Sequence, residues 1–111
     1  MTIHKTLIAT LLLLSVPAFA LIDAVELSPD NIILPATING TMTFKPCVGD
    51  CDEEHKRARL TANTKFVVDG RAVKFDHFRR EHATARRSKE SYALVSYETE
   101  TNTVTTIEIS R

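Results

Sequence analysis

Thr64-Lys65-Phe66-Val67-Val68-Asp69-Gly70-Arg71-Ala72-Val73-Lys74-Phe75 is the stretch of this 111-residue chain that best indicates the fold. Two runs rich in apolar and β-branched residues flank the dipeptide Asp69-Gly70. A type I′ turn needs positive φ at both of its central residues, and Asp-Gly tolerates that conformation. The stretch therefore predicts a β-hairpin.

A short helix is predicted directly after the hairpin, over 77–87. Asp76 can serve as its N-cap, because a carboxylate accepts a hydrogen bond from a free amide of the first turn. The apolar side of the helix is an approximate stripe of Phe75, Phe78, His82 and Ala85. Arginines lie outside this stripe, and those at the end of the helix suit the negative pole of its dipole.

Further strands are predicted from the period-two alternation of apolar and polar residues. The stretches concerned are 24–27, 36–45, 56–60, 91–99 and 103–110, and the last of them alternates imperfectly. Gly40 within the second stretch suggests a bend or bulge. The order of these elements predicts a mainly β domain. It would be a small, five- to six-stranded antiparallel, partly open OB-like barrel with one short helix before the last two strands. A curled β-meander with a packed helix is the alternative.

Several pieces of the C-terminal half carry a resemblance to a known group of proteins. They are Thr64 to Gly70, Val73-Lys74-Phe75, Ala93, Leu94-Val95-Ser96-Tyr97 and Thr106-Ile107-Glu108-Ile109. On these pieces, residues 60–109 resemble exported bacterial small β-barrel (OB-like) modules of unknown function. Many of those modules have a glycine turn where this chain has the arginine-rich segment 78–89. The resemblance implies a small exported β-barrel, and it carries over no catalytic residue.

Residues 1–20 have the organisation of a secretory signal peptide. Lys5 precedes the apolar run 7–16, and Ala18-Phe19-Ala20 places small residues at positions −3 and −1 of a cut after Ala20. The run is shorter than the roughly 20 apolar residues that a membrane-spanning helix needs. We therefore expect a periplasmic or secreted product without a membrane span. Its parts would be an N-terminal arm over 21–36 and the barrel domain over 37–111.

Cys47 and Cys51 are the two cysteines of the chain. In an oxidising compartment their C-x3-C spacing favours a local structural disulfide. The alternative is a metal-handling or thiol-redox protein, in which both thiols and His55 bind a soft metal such as copper or zinc. The acidic neighbours disfavour a reactive thiolate; they are Asp50, Asp52, Glu53 and Glu54.

No arrangement of residues predicts an active site. His55, His77 and His82 lack the spacing of a catalytic triad or of a metal site. The serines show no nucleophile motif, and the few glycines form no phosphate-binding loop. We therefore expect a protein that is not an enzyme and that uses no cofactor.

The charges balance in number, 14 basic and 14 acidic side chains, but they are unevenly distributed. One basic stretch contains Arg79, Arg80, Arg86, Arg87 and Lys89. Such a stretch is ordinarily a solvated face and less often a docking surface for an anionic partner. The balanced charge and the predicted export argue against nucleic acid as a partner. We expect an exported binding module of the cell envelope, with an anionic glycan, a lipid head group or an acidic protein as partner.

Overall fold

A computed structural model of the chain describes residues 21–111, so the predicted leader at 1–20 lies outside the described residues. The strands are β1 (Ile22–Leu27), β2 (Ile32–Ile33), β3 (Thr41–Phe44), β4 (Lys56–Arg59), β5 (Lys65–Val68), β6 (Arg71–Val73), β7 (Tyr92–Glu98) and β8 (Thr103–Ser110). A 3₁₀ turn covers Pro29–Asn31, and the helix α1 (Phe75–Ala85) precedes β7. The prediction of a mainly β fold with one short helix before the last two strands is confirmed. No helix among the described residues is long and apolar enough to cross a bilayer.

The sheet is organised around β8. On one side, β7 pairs with β8 in antiparallel orientation, and β1 pairs with β7 beyond it. On the other side, β8 pairs in parallel first with β4 and then with β5. The sheet continues from β4 to β3 and β2, and from β5 to β6. It is therefore a branched, mostly antiparallel sheet of 8 strands that is not closed into a barrel, whereas five or six strands were expected.

The hairpin predicted at Asp69-Gly70 is confirmed. Residues of β5 and β6 pair in antiparallel register, with Phe66 opposite Val73. Asp69 and Gly70 have φ values of 48° and 85°, as the two central residues of a type I′ turn require. After β6, a single residue, Lys74, precedes α1.

The helix starts two residues earlier than predicted, and the prediction of Asp76 as N-cap is wrong. Lys74 occupies the N-cap position without a side-chain hydrogen bond. Phe75 is buried with its ring centroid 5.2 Å from that of Phe66, so apolar packing decides where the helix begins. Asp76 lies in the first turn, where its negative charge still suits the helix dipole.

The predicted apolar stripe of α1 is confirmed, because Phe75, Phe78, His82 and Ala85 are its buried residues. The Phe78 ring packs against Phe66 with centroids 5.2 Å apart. Through these aromatic contacts α1 covers the inner face of β5. The opposite face of the helix is left in solvent.

A bulge explains the imperfect alternation of the last strand. Ser96 pairs with Thr106 but the next residue, Tyr97, pairs with Val104, so Thr105 is the extra residue of β8. Its hydroxyl donates a hydrogen bond to the Ser96 carbonyl, at 3.0 Å. The bulge shifts the side-chain phase by one residue, which allows both Val104 and Ile107 to be buried.

The strand predicted over 36–45 is wrong in its first half. Residues before β3 turn instead, with the Gly40 amide donating to the Thr37 carbonyl at 3.1 Å. A Cβ atom at Gly40 would lie 2.5 Å from the Pro35 Cβ, so glycine permits this close approach. The preceding segment, 21–36, contributes β1, the 3₁₀ turn and β2, and both strands join the sheet.

Candidate ligand-binding surface

The basic residues identified in the sequence lie together on and just after the solvent face of α1. Arg79 and Arg80 lie within α1, Arg86 is its C-cap residue, and Arg87 comes directly after it. Lys89 follows in the loop after the helix. All five side chains are exposed. We call these five residues the basic surface.

Two members of the basic surface are held by contacts at the border of the buried stripe. The Arg79 guanidinium lies 5.9 Å from the centroid of the Phe75 ring and donates to the Ala36 carbonyl at 3.3 Å. Arg86 Nε lies 3.5 Å from Asp30 Oδ1, with both side chains more than half exposed. Such an exposed ion pair contributes little to stability. It does orient the Arg86 side chain.

The other three members remain free to bind an anion. Arg80, Arg87 and Lys89 form no ion pair with any residue from 21 to 111. Asp76 is the acidic residue that shares a shallow depression with Arg79 and Arg80. At the C-terminal part of the basic surface, Asp30 lines a second depression together with Arg86 and Arg87.

A buried histidine links α1 to the 3₁₀ turn. His82 Nε2–H donates a hydrogen bond to the Pro29 carbonyl at 2.9 Å. Burial lowers the pKa of His82, and the nearby positive charge of Arg86 acts in the same direction, although the bond to Pro29 opposes them. His82 is therefore a structural hydrogen-bond donor that favours the neutral form.

The predicted disulfide between Cys47 and Cys51 is present, with the two Cα atoms 6.6 Å apart. The short ring it closes is fixed to the 3₁₀ turn by the amide of Asn31, which donates to the carbonyls of Cys47 and Gly49 at 2.7 and 2.9 Å. The Gly49 amide donates to the Ser28 hydroxyl at 2.7 Å. The ring, the turn and α1 thus form one connected unit.

A cleft of about 620 Å³ lies between these three elements. Arg86 and Lys89 of the basic surface line it, as do the acidic residues Asp30 and Asp50. Ser91 also lines the cleft; it is 6% exposed, and its hydroxyl finds no hydrogen-bond partner within residues 21–111. Buried polar groups are nearly always paired, so the unpaired Ser91 hydroxyl is an exception to that rule.

The alternative metal site would need two free thiols beside His55. Cys47 and Cys51 are bonded to each other, and His55 lies in the exposed segment before β4. Within the described part of the chain, no three histidine, cysteine or acidic side chains are grouped as metal ligands. The thiol-dependent alternative would first require the disulfide to be reduced.

Sequence reasoning missed Asn31 and Ser28, the residues that hold the disulfide ring. In the sequence, both residues belong to a turn that contains Pro29. Such a turn indicates the local conformation, but it does not reveal a hydrogen-bond partner sixteen or more residues away. It also missed the ion pair between Arg111 and Glu81 of α1. No protein-family model matches the chain, and no curated protein or solved structure is similar enough to be identified as a relative.

Proposed function

We propose that the mature chain, released by cleavage after Ala20, is a non-enzymatic binding module of the cell envelope, periplasmic or secreted. Its basic surface binds a polyanionic envelope glycan. The observation that carries this proposal is the segregation of five cations on and after one solvent-exposed helix face, four of them without an ion pair in residues 21–111. A face of one charge sign attracts and orients an oppositely charged partner.

The proposal includes an OB-like classification of the fold. Its support is the element order, in which a helix lies between the hairpin and the last two strands, and an unclosed sheet in which β8 joins three other strands. OB-type domains are partly open barrels that bind oligosaccharides as well as oligonucleotides. The kinship with small exported bacterial β-modules belongs to the same proposal.

A charge-reversal experiment tests the basic surface. The double variant Arg80→Glu/Arg87→Glu changes two exposed residues that make no ion pair within the described chain, so it should fold normally. The matched control is Arg57→Glu/Arg71→Glu, which gives the same net charge with two exposed arginines outside α1. Binding to polygalacturonate is measured at low and at high salt, because exposed ion contacts are screened by salt.

We expect the α1 variant to lose binding while the control variant keeps it, and we expect salt to weaken the wild type. Equal loss of binding in both variants would show that binding depends only on net charge, and it would contradict the proposal. Anionic lipid vesicles and an acidic protein, tested in parallel, separate the glycan from the other two anionic partners. Tighter binding to either of them would identify it, and not the glycan, as the partner.

A further inference from the structure

The cleft beside the basic surface has the size of a small-molecule site. Its volume of about 620 Å³ lies in the range of about 300–1,000 Å³ that is usual for ligand pockets. It is bounded by the 3₁₀ turn, by the disulfide ring and by the C-terminal end of α1. These walls come from three separate parts of the sequence, so the cleft exists only in the folded chain.

The wall formed by the disulfide ring is fixed in place before any ligand binds. Its covalent bond is reinforced by the two hydrogen bonds from Asn31 and by the bond from the Gly49 amide to Ser28. Lys45 Nζ also donates to the Cys51 carbonyl at 3.0 Å. A preformed wall reduces the ordering cost that binding would otherwise carry.

The charges around the cleft select a particular ligand chemistry. Arg86 and Lys89 offer donors for an anionic group, whereas Asp30 and Asp50 offer acceptors for hydroxyl groups. No aromatic side chain lines the cleft, so it offers no surface on which a nucleobase could stack. Its large aliphatic side chain is Val48, which is 64% exposed and can contact the apolar face of a sugar ring.

We propose that the cleft binds one acidic sugar residue, with the carboxylate or phosphate contacting Arg86 and Lys89 and the ring hydroxyls donating to Asp30 and Asp50. This inference rests on the proposed function and deepens it. The acidic residue in the cleft sets the specificity, and Arg80 and Arg87 bind the remainder of the chain from outside.

The test uses a pair of neighbouring acids in the protein with its disulfide intact. Asp50→Asn removes a carboxylate that lines the cleft, and Asp52→Asn removes an exposed carboxylate that does not line it. Both variants change the net charge equally and leave every residue of the basic surface in place. Calorimetric titration is carried out with trigalacturonate, with glucose 6-phosphate and with neutral maltotriose.

We expect Asp50→Asn to weaken binding of the acidic sugars about tenfold or more, the usual size for loss of a hydrogen bond to a charged group. Asp52→Asn should bind as the wild type does, and maltotriose should not bind. Trigalacturonate binding alone identifies the anion as a carboxylate, and glucose 6-phosphate binding alone identifies it as a phosphate. Lys89→Gln should weaken whichever of the two binds.

Two results separate failure of the cleft from failure of the basic surface. Equal affinities in Asp50→Asn and Asp52→Asn, together with loss in Arg80→Glu/Arg87→Glu, would overturn the cleft site and leave the proposed function standing. Loss in Asp50→Asn with no change in Arg80→Glu/Arg87→Glu would support the cleft and contradict docking on the basic surface. Binding of neither acidic sugar would overturn the cleft, and polygalacturonate then decides the proposed function separately.

Discussion

Removal of the disulfide is the perturbation whose size can be worked out most directly from the structure. The double variant Cys47→Ser/Cys51→Ser opens a ring with a sequence separation of 4. The chain-entropy model assigns such a short ring about 2 kcal/mol of stability, because few unfolded conformations are removed by closing it. For a domain of this size, that change lowers the Tm by about 8–16 °C.

The hydrogen bonds between Asn31 and the disulfide ring make a second, measurable contribution to the free energy of unfolding. Asn31→Ala removes two hydrogen bonds to the ring, at about 0.5–1.5 kcal/mol each. In the variant without cysteines the ring loses its shape, so Asn31 has less to bind there. The combined variant should therefore be less destabilised than the sum of its parts, as is usual for groups in direct contact.

The assay is thermal and urea unfolding followed by circular dichroism, with and without reductant. The Tm of the wild type in reductant should match that of the double serine variant. The Tm of the variant should not change when reductant is added. Asn63→Ala is the control, since this exposed asparagine side chain makes no hydrogen bond within residues 21–111. An unchanged Tm after disulfide removal, or strict additivity with Asn31→Ala, would refute a ring that stabilises the fold through the 3₁₀ turn.

Three further predictions concern the core and the turn. Burial lowers the pKa of His82 below its usual 6.5, so the unfolded chain binds a proton at this residue more tightly than the folded chain does. The free energy of unfolding should therefore fall as the pH drops below about 6.5. In urea unfolding, His82→Gln should make the stability less dependent on pH. Phe78→Ala should cost about 3–5 kcal/mol, since Phe78 is 0% exposed, whereas Tyr92→Ala at a 49% exposed site should cost far less. Gly40→Ala should destabilise by about 1–3 kcal/mol, because its Cβ would meet Pro35 at 2.5 Å; an unchanged Tm would show that this contact relaxes freely.

Local features of this fold could be predicted because their causes lie within a few neighbouring residues. Asp69-Gly70 specifies the turn through its tolerance of positive φ. The buried stripe of α1 follows from the helical period, and the disulfide follows from two cysteines close in sequence. Each of these depends on spacing alone, which a single sequence displays.

The remaining features depend on partners that are distant in the chain. Period-two alternation marks β8 as a strand but gives no sign that β4 and β5 will pair with it in parallel. The buried Phe75 overrode the capping preference of Asp76, because packing against Phe66 involves a different element. The basic residues of the candidate surface could be named from the sequence, but the anchoring of Arg86 by Asp30 could not.

The central position of β8 constrains when the chain can acquire its structure. β8 joins β7 on one side to β4 and β5 on the other, so these pairings wait until residues 103–110 have been synthesised. The pairings of β2 with β3, of β3 with β4 and of β5 with β6 involve no residue of β8, so they can form earlier. β8 is therefore the strand that unites the earlier strand pairs into a single sheet.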